Sequence, residues 1–123
     1  MTKKILLVDD SGLARRGMRA ILESAGFEVT EAEDGMAAIE RYFLERPDVV
    51  MLDLVMKGMY GLDVLAKLRE LDPTARVIVV SADVQESSQK MVDAAGASAF
   101  ILKPVERERV LTVVRGVLEG QPS

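Results

Sequence analysis

The sequence predicts an alternating α/β domain in which five short strands, each followed by a helix, build an open parallel sheet. Three observations carry that expectation. Four aliphatic runs, Ile5 to Val8, Val49 to Leu52, Val77 to Val80 and Phe100 to Leu102, are bounded by turn-forming or charged residues and are too short for helices. Apolar residues at helical spacing fill the intervals between them. Strand starts fall near residues 4, 28, 49, 76 and 99, so a βα unit recurs about every 20 to 27 residues, the length a right-handed crossover needs.

Taken in order, Ile5 to Val8 reads as a strand buried on both faces, as parallel strands usually are. From Ser11 to Ala25 the residues Ala14, Gly17, Met18, Ile21, Leu22 and Ala25 form one helical face, with Arg15, Arg16, Arg19 and Glu23 expected to face away. Ser11 or Asp10 can cap this helix and Gly26 can end it. Phe27 to Ala32 alternates apolar and polar residues, which suits a less covered edge strand. Met36 to Glu45 is the second helix, stopped before Pro47. After the strand at Val49 to Leu52, Gly61 to Leu71 is the third helix, with Val64, Leu65 and Leu68 on one face and Asp72-Pro73 ending it. Val77 to Val80 precedes a fourth helix, Gln85 to Ala95, that ends at Gly96. Phe100 to Leu102, again expected to be buried on both faces, leads into a fifth, Glu106 to Glu119, whose buried side carries Val110, Val113, Val114, Val117 and Leu118.

Composition narrows the chemistry. With no Cys and no His among 123 residues, a disulfide framework, a thiol nucleophile, a Cys/His zinc site and a Ser-His-Asp triad are all excluded. Reactive groups must come from carboxylates, hydroxyls and lysine. A net charge of -4 argues against a nucleic-acid binder, and Arg15, Arg16 and Arg19 are too few to reverse it. No apolar run approaches the ~20 residues of a membrane span. Lys3 and Lys4 precede an apolar run that Asp9 and Asp10 end short of a signal-peptide core, so the expected location is cytoplasmic, without membrane insertion. The expected organisation is one domain over residues 1–123, with only Gly120 to Ser123 after the last helix and no output domain attached.

Open parallel sheets bind ligands beyond the carboxyl ends of their strands, where the strand order reverses. The residues there are Asp9 and Asp10 after the first run, Asp53 after the second, Ser81 after the third and Lys103 after the fourth. Singly each has an ordinary use: Asp10 as a helix cap, Ser81 as a turn residue, Lys103 as a solvated lysine before Pro104. Together, three carboxylates repel one another and require a cation. Lys103 supplies one charge, and a hard divalent ion can supply the rest. Mg2+ suits the set better than Zn2+, because no nitrogen or sulfur ligand is present, and better than Ca2+, because side-chain oxygens are few. Mg2+ commonly shares its shell with a phosphoryl group, so the site is one for phosphoryl chemistry.

The strings Val8-Asp9-Asp10, Glu33-Asp34-Gly35, Leu52-Asp53 with Gly61 eight residues on, Val80-Ser81-Ala82, Ala95-Gly96-Ala97 and Lys103-Pro104 occur in one order across the chain. In this ordered set the chain resembles the receiver domains of two-component response regulators, most closely the stand-alone chemotaxis (CheY-like) type. The resemblance implies a doubly wound, flavodoxin-like sheet of order 2-1-3-4-5, which strand spacing alone does not give. It implies that Asp53 is the phosphoacceptor, taking a phosphoryl group from a sensor histidine kinase or phosphotransfer protein. Asp10 would bind Mg2+ directly and Asp9 through water, with Asp53 and the Val55 backbone carbonyl completing the protein ligands and Mn2+ able to substitute. Lys103, before a cis peptide to Pro104, would pair with the phosphoryl oxygens, and Ser81 would hydrogen-bond to them. Phe100 would be the aromatic switch that moves with Ser81. Val55 and Asp83 would tune hydrolysis, making a slow autodephosphorylation. Such a chain is a signalling protein and not an enzyme, a monomer or a weak phosphorylation-dependent dimer. Its downstream target would meet the face of the fourth helix, last strand and fifth helix. The Ser81 to Gln85 string resembles regulators paired with CheC-type phosphatases.

Two positions depart from the family. Lys57 stands where Pro is usual, and Tyr60 stands where Asp often precedes the Gly. Other readings fit less well. A haloacid-dehalogenase-type hydrolase needs a second acid two residues after its nucleophile, where this chain has Val55. A flavodoxin-like cofactor binder would present hydroxyls and amides to a phosphate, which Asp9 and Asp10 would repel. The alternative that stays open is a pseudo-receiver, an interaction module not regulated by phosphorylation.

Overall fold

Runs of β-branched and aliphatic residues form five strands: β1 (Lys4–Val8), β2 (Glu28–Ala32), β3 (Val49–Asp53), β4 (Val77–Ser81) and β5 (Ala99–Leu102). Five helices alternate with them: α1 (Gly12–Ser24), α2 (Gly35–Glu45), α3 (Gly61–Leu71), α4 (Glu86–Ala94) and α5 (Arg107–Leu118). These elements come from a computed structural model, which describes residues 2–54, 60–82 and 86–120.

All strand pairs are parallel, in the order β2-β1-β3-β4-β5. After β2 the chain crosses back over β1 to reach β3, so the strand order reverses between β1 and β3 and a crevice opens beyond their carboxyl ends. Successive side chains point to opposite faces, which divides the core in two. Leu6, Val8, Val50, Leu52, Val77 and Val79 pack with α2, α3 and α4. Ile5, Leu7, Val49, Met51, Ile78 and Val80 pack with α1 and α5. β1, β3 and β4 are thus covered on both sides, as their unbroken apolar runs require, and β2 is the predicted edge strand.

Two expectations need correction. β5 is not buried on both faces. Ala99 and Ile101 are buried on the α5 side, but Phe100 is only half-buried and Leu102 is 43% exposed, because β5 is the other edge of the sheet and the α4 side covers it incompletely. On α1, Leu22 alone is fully buried, Gly17 is exposed, and Arg15 turns inward instead of away. The cap of α1 is Ser11, whose Oγ accepts the Ala14 N–H at 3.1 Å, and not Asp10. Gly26 follows α1 at φ 91°, a left-handed conformation that L side chains rarely adopt. The expected first residue of the fourth helix, Gln85, lies outside the described residues.

A tether joins α2 to the turn after α3. The Tyr42 hydroxyl donates to Asp72 Oδ2 at 2.7 Å, and Asp72 Oδ1 accepts from the Thr74 hydroxyl at 2.6 Å and the Thr74 N–H at 3.0 Å. The Thr74 hydroxyl, then Tyr42, hold the Asp72 carboxyl below its ordinary range, while burial and the Asp72 charge push the Tyr42 hydroxyl up. A lowered carboxyl stabilises the fold above its unfolded pKa and loses that contribution as pH falls through its folded value. Because Asp72 is open to solvent and keeps its bonds to Thr74, Tyr42→Phe is expected to cost only about 1 kcal/mol near neutral pH. Denaturation along a pH series should show this difference from the parent shrinking on acidification, and a constant difference would contradict the tether.

Candidate functional site

β1 and β3 are in register with Val8 beside Leu52, so the next residues, Asp9 and Asp53, emerge side by side at the crevice. Asp10 follows in the β1–α1 turn, and carboxylate oxygens of Asp9, Asp10 and Asp53 all lie within 4.8 Å of one another. Lys103 Nζ stands 3.6 Å from Asp9 Oδ2 and 3.7 Å from Asp53 Oδ2, bridging two of the three acids. The Lys103 N–H donates to the Ser81 carbonyl at 2.8 Å, which joins the ends of β5 and β4, and the Lys103–Pro104 peptide is cis. Ser81, at the end of β4, is almost wholly buried. Phe100 packs against the α2–α4 side of the core.

Four of the predicted groups, Asp9, Asp10, Asp53 and Lys103, therefore converge, with Ser81 in the adjoining strand end. The Val55 carbonyl, Lys57 and the side chain of Asp83 lie outside the described residues. Tyr60 caps α3 through its backbone alone, without a side-chain bond, where Asp could have made one. Behind Asp53 the packing is tight. The Gly61 N–H donates to the Leu54 carbonyl at 2.9 Å, and a Cβ on Gly61 would meet the Asp53 carbonyl at 2.5 Å.

The cluster offers only oxygen donors and gathers more negative charge than one ammonium offsets, which fits a hard divalent cation such as Mg2+. Asp9 is held from several sides. Its N–H donates to the Ala32 carbonyl at 3.2 Å, and its Oδ1 accepts the Ser11 N–H at 2.8 Å.

The sequence reading missed a second layer. Arg15 donates from Nε to Glu31 Oε1 at 2.8 Å and from its terminal nitrogen to the Asp9 carbonyl at 2.6 Å. Arg19 donates to Glu31 Oε2 at 2.5 Å and pairs with Glu23 at 3.2 Å. The Arg19 bond, then that of Arg15, hold the Glu31 carboxyl below its ordinary range against an opposing effect of burial, and Glu31 in turn raises Arg19. The signal was present: Arg15 and Arg19 are one helical turn apart, and Glu31 is two residues from Val29, on the β2 face that meets α1.

Over residues 5–115 the chain matches the response regulator receiver domain. The protein belongs to the response regulator receiver family. Among the relatives of this receiver, the chemotaxis protein CheY of Bacillus subtilis is 40% identical over 121 residues, 96% of this chain and 99% of that one. CheY of Thermotoga maritima is 37% identical over 118 residues, covering 95% and 98%. The crystal structure of a CheX-CheY-BeF3-Mg complex from Borrelia burgdorferi matches with a TM-score of 0.90 at 36% identity, covering 94% of this chain and 88% of that one. The receiver is accordingly a signalling protein of the two-component type, homologous to chemotaxis response regulators. Among its described residues no helix is long and apolar enough to cross a membrane.

Proposed function

We propose that this receiver accepts a phosphoryl group on Asp53 in a Mg2+-dependent reaction and transmits the change through the face of α4, β5 and α5. The observation that carries the reading is the convergence of three carboxylates and Lys103 at the point where strand order reverses. A carboxylate oxygen of Asp53 attacks the phosphorus of a phosphohistidine on a sensor kinase or phosphotransfer protein. The new O–P bond replaces the donor's N–P bond, and the released imidazole carries away the electron pair and takes up a proton. Such transfers need alignment and charge neutralisation more than covalent assistance. Asp10 and Asp53 would hold the metal directly and Asp9 through water, and the ion would supply neutralisation of phosphoryl charge. Lys103 already bridges two of the acids and can follow the charge onto the phosphoryl oxygens. Ser81 supplies a hydroxyl from the next strand.

The half-buried Phe100 lies on β5, whose last residue, Leu102, directly precedes Lys103, so a change at the acids can reach the exposed side of β5. The Borrelia relative, solved with CheX, BeF3 and Mg2+, supports partner proteins engaging such a receiver with the metal present. Chemotaxis is the process its CheY relatives suggest, a sensor kinase its phosphodonor and a CheC-type phosphatase a further partner.

Addition of beryllofluoride and Mg2+ tests the switch. Amide resonances of Ser81, Phe100 and Lys103 are expected to shift, together with those of α4 and α5, as the phosphoryl mimic draws the population to one state. Spectra identical with and without the mimic would instead make the chain a pseudo-receiver.

A further inference from the structure

We infer that Arg15 is a positioning residue for the metal site, a two-pronged clamp that fixes the Asp9–Asp10 peptide and is itself held by Glu31. The inference rests on the reading of Asp9, Asp10 and Asp53 as metal ligands. One prong of the Arg15 guanidinium donates to the Asp9 carbonyl at 2.6 Å, and its Nε donates to Glu31 Oε1 at 2.8 Å. That carbonyl belongs to the peptide plane joining the two adjacent acids. Holding it limits rotation about the bonds that aim the Asp9 and Asp10 side chains. The bonds from Ser11 and Lys103 fix the Asp9 carboxylate and the bond to Ala32 fixes its amide, but none of these acts on its carbonyl.

The clamp is backed on its far side. Glu31 shares its two oxygens between Arg15 and Arg19, so its position on β2 is set by two helix residues one turn apart. The chain of contacts therefore runs from β2 through α1 to the β1–α1 turn. Groups that orient a metal ligand through a hydrogen bond commonly carry a tenfold to hundredfold effect on affinity. Arginine is the residue for this geometry. Its planar fork makes two bonds in fixed directions, whereas a lysine ammonium is a point charge on a flexible stem.

Titration with Mg2+ alone, followed by NMR, tests the clamp on Arg15→Ala, Arg15→Lys, Glu31→Gln and, as a reference, Asp10→Ala. Arg15→Ala is expected to weaken Mg2+ binding about tenfold. Arg15→Lys should lose nearly as much, and Glu31→Gln less. The Asp10 amide nitrogen, which shares its peptide with the Asp9 carbonyl, should shift in Arg15→Ala even without metal. Should Arg15→Ala not fold, Arg15→Lys and Glu31→Gln carry the test. Arg15 variants that melt earlier yet bind Mg2+ within twofold of the parent would overturn the clamp and leave a purely structural arginine. Arg15→Lys binding as the parent does would also overturn it, since charge alone would then suffice. If Asp10→Ala weakens binding while the Arg15 variants do not, only the clamp fails. If the parent binds no Mg2+, the metal-site reading fails and takes the clamp with it.

Discussion

Asp53→Asn is expected to abolish covalent phosphorylation. Incubated with acetyl phosphate and Mg2+, the parent should gain one phosphoryl group with the acid-stable, base-labile behaviour of an acyl phosphate. The asparagine amide fills the same space but is not a nucleophile, so the variant should remain at background by mass spectrometry. The fold should survive the change. Asp53 closes β3 beside two other carboxylates and Lys103, and replacing its charge relieves repulsion while removing one partner of the ammonium. A comparable melting temperature with no labelling would tie the chemistry to this carboxylate. Labelling at the parent's level would move the phosphoacceptor elsewhere and undo the proposed reaction.

Gly61→Ala should produce the largest loss of stability among these changes. Its Cβ would meet the Asp53 carbonyl oxygen at 2.5 Å, Leu54 Cα at 2.6 Å and the Leu54 carbonyl oxygen at 2.7 Å. All three are backbone atoms, so no rotamer change relieves the overlap and the start of α3 must shift away from the end of β3. Overpacking of this kind costs about 3 kcal/mol, because the obstacle cannot repack. For a domain of 123 residues that corresponds to a fall in melting temperature on the order of 10 °C. The displaced backbone carries Asp53, so Mg2+ affinity should drop as well. An unchanged melting curve would mean that the close approach of α3 to β3 is dispensable.

Much of the fold is legible in the residues because strand and helix obey different periods here. The runs at Ile5 to Val8 and Val77 to Val80 have no polar interruption, the usual pattern of a strand covered on both faces. β5 carries an equally apolar run, and burial on both faces was wrongly expected of it. An edge position is a property of strand order, which the run itself does not contain. The acids at the strand ends were legible for the same reason as the strands: each apolar run stops at a polar residue, and parallel strands bring those stops to one edge. Arg15 was not. A helical wheel places it at the margin of the apolar face, and it turns inward only because Glu31 and the Asp9 carbonyl lie opposite it. Those contacts exist once β2 has paired with β1, a relation separated by 24 positions in the chain.

The central place of β1 also bears on how the chain closes as it folds. Lys4 meets Glu28 in β2, a separation of 24 positions, whereas Ile5 meets Val49 in β3, a separation of 44. Loop-closure entropy rises only logarithmically with length, so the longer closure costs about 0.5 kcal/mol more than the shorter. For that small increment two acidic strand ends, remote in the unfolded chain, become immediate neighbours. The repulsion between Asp53 and the Asp9–Asp10 pair is then confined to the state in which β1 and β3 have joined. A cation that binds only the assembled cluster would draw the equilibrium toward the native state as its concentration rises, so this receiver should resist urea better with Mg2+ than without it.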